Sequence, residues 1–149
     1  MHKTAALTDS RLLFSKAMTQ HARASILAAD DQASTRQLLE VILGAHYDVA
    51  TVSDGLAVLE YVKDHTPDLV ILDVGMPGLD GLEVCSRLRR VNRFTNTAII
   101  ILTAEVGDRT RDGARLFGAD LFIEKPLLAR PFLKQVRDLL EAFSRRTGI

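Results

Sequence analysis

Residues 69–81 read Leu-Val-Ile-Leu-Asp-Val-Gly-Met-Pro-Gly-Leu-Asp-Gly, and this stretch decides the fold of the chain. Its first four residues form an apolar run that is too short for a helix and contains β-branched side chains. Because Gly and Pro follow soon after, the run predicts a strand buried on both faces. Asp73 ends this strand, where an open parallel sheet places its ligand crevice, which favours a chemical role. The simpler alternative is that Asp73 caps the turn before the next helix.

The segments on both sides of this strand alternate between short apolar runs and amphipathic helices. Ser34 is the predicted N-cap of the first helix, Thr66-Pro67 is the predicted end of the second, and the fourth helix is predicted at 106–117. This alternation is typical of a doubly wound α/β fold, a five-stranded parallel sheet with helices on both faces. The predicted strands lie at residues 25–29, 47–51, 69–73, 97–102 and 121–124.

The composition is that of a single folded domain. The chain has 149 residues with 19 basic and 19 acidic side chains, so there is no excess positive charge to hold a nucleic-acid backbone. We therefore expect no direct contact with nucleic acid. Cys85 is the only cysteine and is predicted to be a small core residue. The sequence contains no signal-peptide pattern and no apolar run of membrane-spanning length, so we expect a cytoplasmic protein without membrane contact.

Residues 1–23 differ from the remainder and are predicted to form an N-terminal extension to a domain at 24–149. Asp9-Ser10 is suited to begin a helix, and the residues that follow carry one apolar helical face. Two interpretations remain open: this helix covers part of its own domain, or it binds a partner or a second copy. The face consists of Phe14, Ala17, Met18, His21 and Ala22.

A basic run follows the central strand, within and just after the predicted third helix. It comprises Arg87, Arg89, Arg90 and Arg93. Charged residues interspersed with apolar ones on a helix usually form a solvated face, and this is the interpretation we favour. Contact with a partner is the alternative.

Polar side chains stand at the carboxyl ends of four predicted strands. Asp30-Asp31 follows the first strand, Asp73 the third, Thr103 the fourth and Lys125-Pro126 the fifth. In a doubly wound sheet these four ends converge on one crevice, so the side chains should meet. Adjacent carboxylates need a positive neighbour, and Mg²⁺ is suited to one or two carboxylates. A solvated helix start is the simpler interpretation of the acidic pair. The X-Pro bond after Lys125 is a candidate for a cis peptide.

In combination these motifs resemble the receiver domain of two-component response regulators. The resemblance covers roughly residues 24–145. It rests on the acidic pair, the Met-Pro-Gly-x-Asp-Gly loop after Asp73, the threonine followed by alanine, and the Gly-Ala-Asp turn that precedes Lys-Pro. The implied fold is flavodoxin-like, with strand order 2-1-3-4-5.

The resemblance also implies roles for individual residues. Asp73 is the expected phosphoacceptor, and Mg²⁺ is expected at Asp30, Asp31, Asp73 and the backbone carbonyl of Gly75. The expected phosphate-binding and switch residues are Thr103, Ala104, Lys125 and Phe122, of which Phe122 is the aromatic that moves inward on activation. Gly75 and Glu105 occupy positions that in this family tune the lifetime of the phosphoryl group.

The first functional hypothesis is a phosphorylation-activated switch rather than an enzyme, although it is expected to assist its own phosphorylation and dephosphorylation. The implied donor is a histidine kinase or a histidine phosphotransfer protein. The output is expected through a downstream protein or a homodimer partner, on the face of the fourth helix, fifth strand and fifth helix. No output domain follows Ile149, so we expect a stand-alone regulator or a fragment of a longer one.

The two alternative hypotheses are a phosphohydrolase and a scaffold. A phosphohydrolase of the haloacid dehalogenase kind also uses an aspartate nucleophile on a parallel sheet, but it carries a second acid two residues later, where this chain has Gly75. A receiver-like scaffold would bind partners without phosphorylation. The intact set of acids, threonine and lysine argues against the scaffold.

Overall fold

The computed structural model describes residues 23–105 and 107–146, which form a five-stranded parallel sheet of order β2-β1-β3-β4-β5 flanked by helices. The strands are β1 (Ser25–Ala29), β2 (Asp48–Val52), β3 (Leu69–Leu72), β4 (Ala98–Thr103) and β5 (Leu121–Glu124). The helices are α1 (Ala33–Gly44), α2 (Gly55–Tyr61), α3 (Gly81–Arg89), α4 (Asp108–Leu116) and α5 (Ala129–Arg146), with a 3₁₀ turn at Asn92–Phe94. The predicted doubly wound fold and its strand order are confirmed.

The three central strands are buried on both faces, which explains why they read as nearly continuous apolar runs. Alternate residues point to opposite sides: Val70 packs into a core with α2, α3 and α4, whereas Ile71 packs into a core with α1 and α5. Cys85 is fully buried in the first of these cores, as predicted. Because the sheet is held from both sides, the carboxyl ends of its strands are fixed relative to one another.

Most predicted element boundaries lie within two residues of the observed ones, but two helix signals were wrong. Ser34 lies inside α1, whose N-cap is Gln32. The second helix ends at Tyr61, before Thr66-Pro67, because Val62 already closes its last turn. Asp54 does cap α2, since its Oδ1 accepts the Ala57 N–H at 2.8 Å.

The prediction of a solvated basic face was wrong for Arg89. Its guanidinium donates to the carbonyl oxygens of Gly118 (2.9 Å), Phe94 (3.0 Å) and Thr97 (2.8 Å), and to Asp120 Oδ2 at 2.7 Å. The planar fork of arginine fits several acceptors at once, and here it ties α3 to the turns before β4 and β5.

The side chain of Arg93 is also hydrogen-bonded within the fold. It donates to Val62 O at 2.6 Å and to Thr66 Oγ1 at 2.8 Å, so it satisfies backbone beyond the end of α2. In contrast, Arg87 is half exposed and pairs with Glu83 at 3.5 Å on the surface, which agrees with the prediction.

We expect Arg89→Met to lower the free energy of unfolding by about 2–3 kcal/mol, because three carbonyls and Asp120 lose a charged donor. Arg87→Met on the same helix is the matched control and should change it by less than about 0.5 kcal/mol, since exposed pairs contribute little. Urea denaturation followed by circular dichroism measures both. Equal stability of the two variants would contradict this assignment.

The predicted N-terminal extension falls almost wholly outside the described residues, which begin at Arg23. Among residues 23–105 and 107–146, no helix combines the length and apolar character that crossing a membrane requires.

Candidate functional site

Three carboxylates meet at the carboxyl edge of the sheet. Asp30 and Asp31 follow β1 and Asp73 follows β3, and each contributes an oxygen that lies within 4.8 Å of the others. Asp30 and Asp73 are buried, whereas Asp31 is exposed. The three acids therefore meet as the sequence predicted, and the structure adds that two of them are buried and one is exposed.

Asp73 is held in place through its backbone and its side chain. Its N–H donates to Ala29 O at 3.1 Å, and its Oδ1 accepts the Gly75 N–H at 3.1 Å. A side chain at Gly81 would collide with Asp73 O, since a Cβ there would lie 2.3 Å from that atom. The start of α3 thus packs directly on the backbone of Asp73, and only glycine permits this approach.

Lys125 joins two of the acids. Its Nζ donates to Asp30 Oδ2 at 2.7 Å and to Asp73 Oδ2 at 3.2 Å, and its side chain is only 14% exposed. Lys125 follows β5, the edge strand, and its own N–H donates to Thr103 O at 2.9 Å. The peptide bond to Pro126 is cis, as the sequence suggested.

The pKa values of this group show how the charges balance. Burial raises the pKa of Asp30 and the charge of Asp73 raises it further, although hydrogen bonds from Lys125 and the Gln32 N–H act in the opposite direction. For Lys125, burial lowers the pKa, but the hydrogen bond to Asp30 and the charge of Asp73 outweigh it and raise the pKa overall. The two carboxylates thus share one lysine, and the net charge of the site is negative.

Thr103 and Ala104 stand at the end of β4. Thr103 is buried, and its Oγ1 accepts the Glu105 N–H at 3.1 Å. Ala104 is exposed and small, so it leaves space beside Lys125. The threonine hydroxyl keeps its proton available as a donor in this arrangement.

Phe122 lies on β5 and is half-buried against the core that contains α3 and α4. The guanidinium of Arg111 lies 5.2 Å from the centre of its ring and also pairs with Glu124. Arg111 therefore links α4 to β5 at Phe122, the expected switch aromatic.

Some contacts at the site were not predicted from the sequence. Arg36 donates to Asp30 O at 2.8 Å from the first turn of α1, since helical side chains lean toward the N-terminus. Glu105 also lies beside Gly75: a Cβ added at Gly75 would lie 3.8 Å from both Glu105 Oε1 and Asp73 Oδ1. The sequence marked Glu105 by position, but Arg36 and Arg111 carried no distinguishing pattern.

Comparison with known proteins assigns the family. The sequence matches the response regulator receiver domain family over residues 26–137. Response regulator MprA of Mycobacterium leprae is 39% identical over 116 residues, which make up 77% of this chain and 50% of that protein. The probable transcriptional regulator ycf27 of Porphyridium aerugineum is 40% identical over 126 residues, or 83% of this chain and 50% of that protein. The chain spans about half the length of these relatives.

Solved structures agree with this assignment. Chemotaxis protein CheY4 of Vibrio cholerae is 30% identical with a TM-score of 0.74, covering 78% of this chain and 98% of that one. The receiver domain of a signal transduction histidine kinase from Syntrophus aciditrophicus is 29% identical with a TM-score of 0.74, covering 80% and 91%.

This chain belongs to the response regulator receiver domain family of two-component signalling. The general function of the family is a phosphorylation switch rather than classical enzyme catalysis. Receiver domains generally bind Mg²⁺ in an acidic pocket, and the present cluster fits that ion. Its donors are carboxylate oxygens, which Mg²⁺ prefers, and a cation would offset the burial and the charge of Asp73, which raise the pKa of Asp30.

Proposed function

We propose that Asp73 accepts the phosphoryl group, and that the other residues of the site position it and stabilise its charge. The observation that carries this proposal is the contact of Lys125 Nζ with both Asp30 and Asp73. A lysine shared by a metal-binding acid and the acceptor lies where the charge of a transferred phosphoryl group develops.

The proposed transfer is a substitution at phosphorus. An Asp73 carboxylate oxygen forms a bond to phosphorus while the bond from phosphorus to the donor breaks, and that bonding pair leaves with the donor. Lys125 neutralises the phosphoryl oxygens, and the hydroxyl proton of Thr103 is available to one of them. Mg²⁺, held by Asp30, Asp31, Asp73 and the carbonyl of Gly75, supplies further charge neutralisation when bound. The same residues assist the removal of the phosphoryl group, in which a water oxygen bonds to phosphorus while the bond from phosphorus to the Asp73 oxygen breaks and its electron pair returns to the carboxylate.

The readout follows from Thr103 and Phe122. When Thr103 turns its hydroxyl toward the phosphoryl group, its bond from the Glu105 N–H is lost and the loop after β4 shifts. Phe122 then moves inward into the space next to Thr103. The contact of Arg111 with Phe122 and Glu124 opposes this movement in the unphosphorylated protein.

The proposed donor is a histidine kinase or a histidine phosphotransfer protein. The proposed output surface is the face of α4, β5 and α5, where a downstream protein or a second copy binds. Leu116 at the end of α4 is 83% exposed, and Phe117 beside it is 41% exposed. The described domain itself is not proposed to contact nucleic acid or membrane.

Two alternatives are less well supported. A phosphohydrolase of the haloacid dehalogenase kind needs an acid at position 75, and the family match favours the switch. A scaffold without phosphorylation would not need Lys125 to be held between two buried acids.

The proposal predicts Mg²⁺-dependent phosphorylation by a small donor. After incubation with acetyl phosphate and Mg²⁺, intact mass spectrometry should show one phosphoryl group per chain, and the same reaction in excess EDTA should give little or none. The reason is that Lys125 alone does not balance the carboxylates and the incoming phosphoryl group. Equal phosphorylation with and without the metal would contradict the assigned role of the acidic cluster.

A further inference from the structure

Helices α2 and α3 begin with the same pair of residues, Asp-Gly. Asp54 and Asp80 are the N-caps, and each accepts the N–H of the residue three positions later, at 2.8 and 2.9 Å. Gly55 and Gly81 are the first helical residues, and both are buried. The capping acid accounts for the start of each helix, but it does not account for the glycine that follows, since glycine weakens a helix.

Both glycines contact the backbone of the β3–α3 loop, residues 73–80. The contact of Gly81 is with Asp73 O, at the beginning of this loop. A Cβ added at Gly55 would lie 2.3 Å from Leu79 O and 3.0 Å from Leu79 Cβ, near the end of the loop, and 2.9 Å from a side chain on α3. The loop is thus held near one end by α3 and near the other end by α2.

Space, rather than backbone conformation, requires a glycine at position 55. Gly78, within the loop, has a φ of 75° in the left-handed region, whereas Gly55 does not lie in that region. Carbon atoms in ordinary contact lie about 3.5 Å from their neighbours, so an alanine at position 55 would force α2 and the loop apart by roughly 1 Å.

The middle of the loop is coupled to α2 as well. Val74 and Met76, on either side of Gly75, are buried in the core that also contains Val58, about one turn along α2. Gly75 itself is exposed, and its N–H donates to Asp73 Oδ1 at 3.1 Å. A displacement of α2 therefore reaches the carbonyl of Gly75 through the loop backbone and through this core.

We propose that Gly55 is a positioning residue for the metal site, and that it acts through its contact with Leu79 O on the carbonyl of Gly75 and the carboxylate of Asp73. This inference rests on the proposed metal site, in which Gly75 supplies a backbone ligand. Mg²⁺ demands near-ideal octahedral geometry, so a small shift of one oxygen ligand lowers its affinity. Gly55 itself lies on α2, whereas the three acids follow β1 and β3.

Calorimetric titration with Mg²⁺ tests this role. Gly55→Ala should weaken Mg²⁺ binding about tenfold, since changes behind the ligands of a metal cost roughly 10- to 100-fold. Gly44→Ala is the matched control, because a Cβ added at this last residue of α1 would meet no atom within 4 Å. It should bind Mg²⁺ as the parent does. Circular dichroism at the temperature of the titration checks that each variant is folded.

A second control separates positioning from stability. Gly55→Ala should also lower the stability, because of the collision with the loop. Val136→Ala creates a cavity in the other core, between the sheet and helices α1 and α5, which contains no residue of the β3–α3 loop. It should lower the stability and leave Mg²⁺ affinity unchanged. Weakened binding in both variants would show that Gly55 is only structural and would overturn the proposal.

A measurement on the parent protein needs no substitution and applies even if Gly55→Ala does not fold. Coupling between sites is reciprocal, so Mg²⁺ should stabilise the start of α2 if α2 positions the loop. Saturating Mg²⁺ should slow amide hydrogen exchange at Ala57 and Val58, which donate to Asp54, about tenfold more than at Val136 on α5. Equal slowing at these positions would reflect global stabilisation alone and would overturn the positioning role.

The titrations distinguish this inference from the metal site itself. If the parent binds Mg²⁺ and Gly55→Ala binds it equally well, the positioning role is wrong and the metal site stands. If the parent does not bind Mg²⁺, the metal site is wrong and the positioning role is wrong with it.

Discussion

Lys125→Met should lower the free energy of unfolding by about 2–4 kcal/mol in metal-free buffer, because breaking a buried pair leaves charge uncompensated. Asp30 and Asp73 are both buried, and this variant would remove the ammonium group that pairs with both of their carboxylates. Added Mg²⁺ should recover part of the loss, since the ion replaces the missing positive charge. Urea denaturation with and without Mg²⁺ measures both effects.

Lys134→Met is the matched control for this prediction. Lys134 also pairs with a carboxylate at 2.7 Å, but both side chains are more than half exposed, so no measurable change is expected.

The contribution of Lys125 to stability should also depend on pH in a defined direction. Because the folded pKa of Lys125 is raised, its stabilising contribution is complete below its unfolded value of 10.5 and is lost as the pH rises through the folded value. A Lys125→Met variant as stable as the parent would contradict the assigned pairing.

Asp30→Asn should have opposite effects on stability and on metal binding. Burial disfavours the charged form of Asp30, so the neutral amide should make the metal-free protein more stable at pH 7. The gain should disappear below about pH 3.8, where Asp30 is protonated in both the folded and the unfolded state. Mg²⁺ affinity should fall by at least about 100-fold, because even outer-shell changes cost roughly 10- to 100-fold.

Calorimetric titration with Mg²⁺ and urea denaturation at two pH values test this pair of effects. Asp64→Asn serves as the control, since Asp64 is an exposed carboxylate just beyond the end of α2. A variant at position 30 that keeps full Mg²⁺ affinity would remove Asp30 from the metal site.

The opposite signs have a common physical cause. The fold brings two carboxylates into a buried position where one lysine does not balance them, and this arrangement is unfavourable without a cation. The same imbalance suits the site to a divalent ion. Stability is thus lower at the residues to which we assign the chemistry.

The sequence predicted the elements that local patterns determine. The apolar run before Asp73 and the alternation around it indicated the parallel sheet, and topology then placed Asp30, Asp73 and Lys125 at one edge. The residue types at strand ends can be read from the sequence. A predicted strand and the chemical group that follows it are therefore enough to predict which side chains meet at this edge.

The contacts of the arginines were not predictable in this way. Arg89 and Arg93 look like surface residues in the sequence, and only the packed fold brings the carbonyls of Thr97, Gly118 and Val62 within their reach. The tertiary structure determines which groups a long side chain contacts, so the periodicity of the sequence gives little information about those contacts. The same reason explains why Arg36 and Arg111 were missed.

Helix ends show a related limit. Ser34 is a good capping residue by type, but α1 begins at Ala33 because Asp30 Oδ1 already accepts the Gln32 N–H at 2.9 Å. Asp30, which belongs to the acidic site, therefore also sets the chain direction at the start of the helix. Local propensity was overridden by the requirements of the site.

The central claim is that Asp73 carries the phosphoryl group, and the position of that group is the measurement that tests it most directly. After reaction with acetyl phosphate and Mg²⁺, borohydride reduction converts an aspartyl phosphate to homoserine, which peptide mass spectrometry locates. We expect homoserine at position 73 of the parent protein and no phosphoryl group on Asp73→Asn. Homoserine at another position, or an unchanged yield of phosphorylated Asp73→Asn, would contradict it.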